Sequence, residues 1–168
     1  YQHYDIAPSL TWQPNERTSL TLLAQLRKDP DSGFYNQMPI SGTLTHNPNG
    51  QISTSFYGGQ PGFDKYEREQ GSIGYQFRHD FNDTVTFRQN LRYISSTGNY
   101  LMVYPWGEHA DAPLIDRYSM NLKETMSNFA VDNQAEFHLQ SGPIAHVLLA
   151  GIDRMHTSVR SQAGYGDA

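Results

Sequence analysis

The chain has 168 residues, enough for one domain, and carries 12 Lys and Arg against 17 Asp and Glu, a net charge of −5. That balance argues against a nucleic-acid surface, which would show a basic patch. The absence of Cys excludes disulfides, thiolate metal sites and a Cys nucleophile from this stretch of chain.

The first predicted strand covers residues 2–13. Tyr4, Ile6, Pro8, Leu10 and Trp12 fall on one parity, and His3, Asp5, Ala7, Ser9 and Thr11 on the other. Strict period two means a strand with one apolar and one wet face. Gln13-Pro14-Asn15-Glu16-Arg17 is a turn, with Pro and Asn supplying the bend. The second strand, 18–28, places Leu20, Leu22, Ala24 and Leu26 on one face, with Leu23 breaking the pattern. A long connection, 29–65, follows, rich in Gly and Pro and holding the turn signal Asn47-Pro48-Asn49-Gly50.

The third strand, 66–78, sets Gly71, Ile73, Tyr75 and Phe77 against Gln70, Ser72, Gly74 and Gln76. After a second short turn, 79–83, the fourth strand, 84–95, sets Val85, Phe87, Leu91 and Tyr93 against Thr86, Arg88, Asn90 and Arg92. A second long connection is expected at 96–115. The fifth strand, 116–139, switches its apolar parity from even (Tyr118, Met120, Leu122) to odd (Phe129, Val131, Ala135, Phe137). A bulge near 124–128 would explain the switch. Alternatively, the upper part stands clear of a membrane as an extracellular hairpin arm. Ser141-Gly142-Pro143 is the third short turn, and the sixth strand, 145–158, is apolar on both parities at 147–150, so its faces stay unassigned.

Short turns at one end and long loops at the other are the pattern of an outer-membrane β-barrel. A mean hydropathy of −0.65 does not count against it, because only alternate residues of a barrel strand touch lipid. The longest apolar run, 147–152, is far below the roughly 20 residues a spanning helix needs. Tyr4 and Trp12 are ~26 Å apart at ~3.3 Å per residue, close to the ~25 Å apolar band between aromatic girdles. Six strands cannot close a barrel, and open edges in lipid leave backbone groups unpaired at several kcal/mol each, so the chain reads as a piece of a longer protein. The charged residues on the polar parity, Arg88, Arg92, Asp132, Glu136 and His138, would equally suit the solvated face of a soluble sheet.

No catalytic or metal constellation stands out. The seven His show no paired ligand spacing, and G-x-S-x-G, GxGxxG and P-loop motifs are absent. Glu67 and Glu69 share a strand face and could be read as a glycosidase pair, but a single such pair is a weak signal. Asn82-Asp83-Thr84 fits a glycosylation sequon and lies in a tight turn, where chance is the better account. The loops have functional character: Phe34, Tyr35, Phe56, Tyr57 and Phe63 in the first, Tyr100, Tyr104 and Trp106 in the second, and Tyr165 near the end. Aromatics interleaved with Gly and Pro suit a site for a ligand with apolar and amide surface. The plain alternative for each ring is loop packing.

Several segments carry a resemblance. They include Ile6-Ala7-Pro8-Ser9-Leu10-Thr11-Trp12, Gly33-Phe34-Tyr35, Gly74-Tyr75-Gln76-Phe77, and Phe87-Arg88-Gln89-Asn90-Leu91-Arg92-Tyr93. Val131-Asp132-Asn133-Gln134 and His146-Val147-Leu148-Leu149-Ala150-Gly151-Ile152-Asp153 extend it in order along the chain. The chain resembles the barrel of TonB-dependent outer-membrane siderophore receptors of the ferrichrome and ferrioxamine type. The resemblance implies a twenty-two-stranded antiparallel barrel, of which this chain would be a middle section with three hairpins. It implies an N-terminal plug, pulled by the TonB complex, and closing strands, none of them in this chain. It also implies outer-membrane lipid around the wall, a monomer when full length, and no enzymatic activity. The ligand would be a ferric siderophore that holds its own iron, so no resident cofactor or metal is expected. Tyr35 matches a family position that contacts ligand, and Phe34, Tyr104, Trp106 and Tyr165 are the further candidates. Lys and Arg are sparse in these loops, which favours a neutral hydroxamate complex over an anionic catecholate. The rival readings are a soluble β-sandwich that binds carbohydrate through Tyr and Trp, and a surface enzyme using Glu67 and Glu69.

Overall fold

Seven antiparallel strands form one sheet: β1 (Gln2–Ile6), β2 (Ser9–Asn15), β3 (Thr18–Asp31), β4 (Lys65–Asp80), β5 (Val85–Glu108), β6 (Ile115–Ser141) and β7 (Ile144–Asp167). The computed structural model describes residues 1–33, 36–108 and 114–167. The order is β1-β3-β4-β5-β6-β7, with β2 beside β1 on β3. No helix is long and apolar enough to cross a membrane.

β1 and β2 are the first expected strand, interrupted at Ala7-Pro8. Pro8 has no N–H to give the ladder, yet its carbonyl still accepts from Ala24 N at 3.0 Å. Register is therefore kept across the gap, with Ile6 opposite Leu26 and Leu10 opposite Leu22. The ladder gives up only the one bond that an N–H at position 8 would make to the Ala24 carbonyl.

Two expectations are corrected. The second long connection is mostly strand, since β5 runs on to Glu108 and β6 begins at Ile115. Pro105 gives the stretch the look of a loop. β4, however, ends where Lys65 pairs with Leu101, and the Val103 N–H on that same side of β5 already turns to a side chain rather than to β4. The missing N–H of Pro105, two residues on, costs no ladder bond. Nor is there a bulge near 124–128. Pairing of β5 with β6 is continuous from Val85–Phe137 to Pro105–Arg117, and the one shift lies between Pro105 and Gly107. The change of apolar parity along β6 is thus a change of surroundings, not of register.

The turns follow from their residues. Asn15 Oδ1 accepts from Arg17 N at 3.0 Å, and Asn82 Oδ1 from Thr84 N at 2.8 Å and Val85 N at 2.9 Å. Gly142 closes the third turn at φ 60°, where a side chain would be strained.

Successive residues point to opposite faces, and the pairing shows what shares each. One row across the apolar face reads Leu10, Leu22, Tyr75, Leu91, Val131. These side chains do not form a sealed core: Tyr4 is 61% exposed and Leu10 66%, and Leu20 and Phe87 are half-buried. Among the described residues the buried apolar side chain is Val103. A soluble sandwich would need a second layer over this face, and the described residues supply none. Register also assigns the faces of β7. Leu148 and Ala150 join the apolar face opposite Phe137 and Ala135, while Val147 and Leu149 oppose His138 and Glu136.

The apolar band drifts across the sheet. Its upper edge is Tyr4 beside Lys28 on β1, and the row Ala24, Ile73, Tyr93, Phe129 at β6, four residues lower on β3. Its lower edge drops equally, from Trp12 in the Leu20–Phe77–Gln89 row to Phe137 opposite Val85. One residue per strand, at ~3.3 Å rise and ~4.8 Å spacing, is a tilt of ~35°. Barrel strands tilt by about that amount. Band height along the normal becomes ~21 Å, near the ~25 Å that lipid requires.

Within the band, Gln89 and Asn133 are polar residues on the apolar parity. Tyr75 Oη donates to Gln89 Oε1 at 2.5 Å, Gln89 Nε2 to Asn133 Oδ1 at 2.6 Å, and Asn133 Nδ2 to the Ile152 carbonyl at 3.4 Å. A chain of internal bonds is what polar groups facing hydrocarbon require.

Candidate functional site

The polar face changes character with height. Near the short turns it is an ionic lattice. Arg88 Nη1 lies 2.7 Å from Glu136 Oε2, His138 Nε2 2.8 Å from Glu136 Oε1, and Thr86 Oγ1 donates to Asp80 Oδ1 at 2.7 Å. Midway, a hollow of about 600 Å³ crosses the sheet from Ala7 to Met155. Small residues make it, among them Ser72, Gly74 and Ala130. Gly74 is required, because a Cβ there would press into the Leu91 carbonyl oxygen. Higher up, the buried Asp29 carboxylate gathers His3, Arg27 Nε at 3.1 Å and Arg68 Nε at 3.4 Å.

Above that, the same face becomes aromatic and thioether. Tyr66 stacks on Tyr100 with centroids 3.9 Å apart. Leu122 lies opposite Tyr100, Met120 opposite Met102, and Tyr118 opposite Tyr104. Trp106 packs edge-on against Tyr118 at 5.5 Å and against Tyr104 at 6.4 Å. Tyr165 on β7 pairs with Met120. Alternation along β5 and β6 puts all of these on one side, since 100, 102, 104 and 118, 120, 122 share parity. A hollow of about 550 Å³ opens there, lined by Lys65, Tyr66, Tyr100, Leu101, Met102, Met120 and Leu122 together with Ser32 and Gly33. Trp106 and Tyr165 stand at the edge of this surface, each 70% exposed.

Of the residues singled out from sequence, Tyr104, Trp106 and Tyr165 are brought to one face, on strands rather than loops. Phe34 and Tyr35 lie outside the described residues. Tyr57 belongs to loop packing, since its hydroxyl donates to Asp64. Sequence reasoning left out Tyr66, Tyr118 and the two methionines. For Tyr118, Met102 and Met120 the signal was even parity through 100–106 and 118–122, hidden by reading 96–115 as a loop; Tyr66 carries no such local signal.

The surface offers contacts to a bulky ligand. Rings and thioethers offer polarizable area, and the tyrosine hydroxyls offer hydrogen bonds. Glu67 and Glu69 are on the opposite face, the first 2.8 Å from Lys65 Nζ and the second 2.6 Å from Lys28 Nζ. Both carboxylates are engaged in ion pairs, away from the aromatic surface. Among the described residues no group of three or more His, Cys, Asp or Glu is placed to hold a metal.

Similarity to known proteins runs the length of the chain. It is 36% identical over 166 residues, 98% of the chain, to a ferrioxamine receptor of Yersinia enterocolitica. It is 34% identical over 187 residues, 99% of the chain, to the ferrichrome outer membrane transporter/phage receptor of Escherichia coli. A catecholate siderophore receptor of Escherichia coli is more distant, 25% identical over 184 residues and 98% of the chain. The chain spans about a quarter of the length of these curated relatives, 23%, 25% and 24% respectively. No family model matches.

Proposed function

We propose that this chain, a homologue of the outer-membrane ferrioxamine and ferrichrome receptors along nearly its whole length, is a section of the barrel wall of a receptor that takes up ferric hydroxamate siderophores. The apolar face meets lipid, the polar face looks into the lumen, and the β5–β6–β7 arm rises above the outer leaflet. The observation that carries the ligand reading is the single aromatic and thioether surface on the lumenal side of that arm, from Tyr66 and Tyr100 to Trp106 and Tyr165. The hollow within it is lined by one cation, Lys65, whose Nζ lies 2.8 Å from Glu67 Oε1. A neutral hydroxamate complex fits it, whereas an anionic catecholate complex would meet a single cation that is already paired with Glu67.

Tyr104, Trp106 and Tyr165 contact the ligand in this reading, with Tyr35 and Phe34 as further contacts. Iron travels as cargo inside the siderophore. Energy reaches the receptor from the TonB complex through a plug domain carried by other parts of the protein, and the full-length receptor is a monomer in lipid. The test is equilibrium binding of ferrioxamine B and ferrichrome to the full-length receptor in detergent. Trp106→Ala and Tyr104→Ala should each weaken binding of at least one of the two. Wild-type affinity in both variants would remove this surface from the ligand site.

A further inference from the structure

The arm that carries the rings is supported from behind. Tyr104, Trp106 and Tyr118 occupy one face of the β5–β6 arm; Val103, Pro105 and Arg117 alternate with them onto the other. The foot of the 32–64 loop is seated on that second face. Gly58 lies against the Pro105 ring so closely that a Cβ would overlap it. Arg117 reaches the same strip, with Nη1 donating to the Gly59 carbonyl at 3.1 Å and Nη2 to Gln60 Oε1 at 3.4 Å.

Asp64 is the centre of this seat. Its Oδ1 accepts from Val103 N at 2.7 Å, and its Oδ2 accepts from Gln60 N at 2.5 Å and from the Tyr57 hydroxyl. The Val103 N–H is the first on its side of β5 after β4 has ended, so the carboxylate stands in for the missing strand. Gly59 fits because it has no side chain: a Cβ would fall onto Asp64 Oδ2 and the Tyr57 hydroxyl. Burial, then the Asp64 carboxylate, hold the Tyr57 phenol protonated well above its ordinary range. Val103, 5% exposed, is the buried apolar residue this contact creates.

We infer that Asp64 is a positioning residue for ligand binding: it locks the foot of the loop to the back of the β5–β6 arm and so fixes Tyr104, Trp106 and Tyr118 on the front. This rests on the ligand reading above, and its own geometry can be tested without ligand. Asp64→Asn keeps the shape but replaces one acceptor oxygen by an amide that points a donor at existing donors.

The experiment uses the full-length receptor in detergent. Hydrogen exchange of the ligand-free protein should show faster exchange over 102–106 in Asp64→Asn than in wild type. Ferrioxamine B should bind Asp64→Asn about tenfold more weakly, near 1.4 kcal/mol. In the Asp64→Asn/Trp106→Ala double variant the losses should be less than multiplicative, because Asp64 acts through the ring; a loss of packing elsewhere would multiply. Should Asp64→Asn fail to fold, Arg117→Met removes the second clamp and should give the same pattern. Unchanged exchange over 102–106 overturns the buttress itself. Faster exchange with wild-type affinity, or fully multiplicative losses, overturns its link to ligand. A receptor whose binding is indifferent to Trp106→Ala, with exchange still faster in Asp64→Asn, contradicts the ligand reading and not the seat.

Discussion

Gln89 and Asn133 face each other across β5 and β6 on the side of the sheet that carries the apolar band, joined by a 2.6 Å hydrogen bond from Gln89 Nε2 to Asn133 Oδ1. Neither residue suits hydrocarbon alone. Together with Tyr75 and the Ile152 carbonyl they form one satisfied chain across four strands. Gln89→Ala should cost about 1–2 kcal/mol, since it strands both the Tyr75 hydroxyl and the Asn133 amide. Replacing all three at once, as Tyr75→Phe, Gln89→Leu and Asn133→Leu, should be near neutral. Urea unfolding of the full-length receptor in vesicles measures both; a triple variant weaker than the single one would contradict the account.

Gly74 sets how closely β4 and β5 approach. With the Leu91 carbonyl in the place of a Cβ, Gly74→Val should cost about 1–3 kcal/mol through overpacking. Gly71, where a Cβ would meet only Leu26 at 3.6 Å, should accept Ala with little change. The same unfolding series compares the two, and equal losses would mean the close approach is not what Gly74 provides.

The exposed rings should separate from the packed one. Trp106→Ala and Tyr165→Ala remove side chains that are each 70% exposed, so the fold should keep its stability while ligand binding weakens. Tyr57→Phe removes a hydroxyl that bonds Asp64, and should loosen the loop foot without touching the ligand surface directly. Thermal melts beside ferrioxamine B titrations distinguish these; a Trp106→Ala variant that melts much earlier than wild type would make that ring structural.

Gly59→Ala pushes a methyl group onto the Asp64 carboxylate and should reproduce the Asp64→Asn phenotype in hydrogen exchange over 102–106. Protection equal to wild type there would show that the loop foot can shift without disturbing the arm.

Much of this was legible in the chain because lipid imposes a simple rule. Where one face meets hydrocarbon, as along 2–13, 18–28 and 84–95, alternation holds apart from single breaks such as Leu23 and Gln89, and the strands are legible. Once the chain leaves the bilayer, that rule stops. β5 beyond Ser95 and β6 before Phe129 answer to the aromatic surface and a docked loop, and their apolar residues change sides. A proline at 105 then made a strand resemble a loop, although its missing N–H faces an edge with no partner. Tyr66 was out of reach for another reason: stacking on Tyr100 depends on the pairing of β4 with β5, which no local pattern carries. Asp64 looked like an ordinary loop carboxylate, because its partner Val103 lies 39 positions along the chain.

The central claim concerns two neighbouring residues on one strand. Asn90 lies on the polar face beside Asp132, and Leu91 on the apolar face beside Val131. Single labelled cysteines at the two positions, in a cysteine-free full-length receptor in vesicles, report what each touches. The account predicts that Leu91→Cys is quenched by a lipid-borne quencher and Asn90→Cys is not. It also predicts that Leu101→Cys, higher on the Leu91 face, escapes that quencher. Lipid quenching at Asn90→Cys, or none at Leu91→Cys, would contradict a bilayer-facing wall.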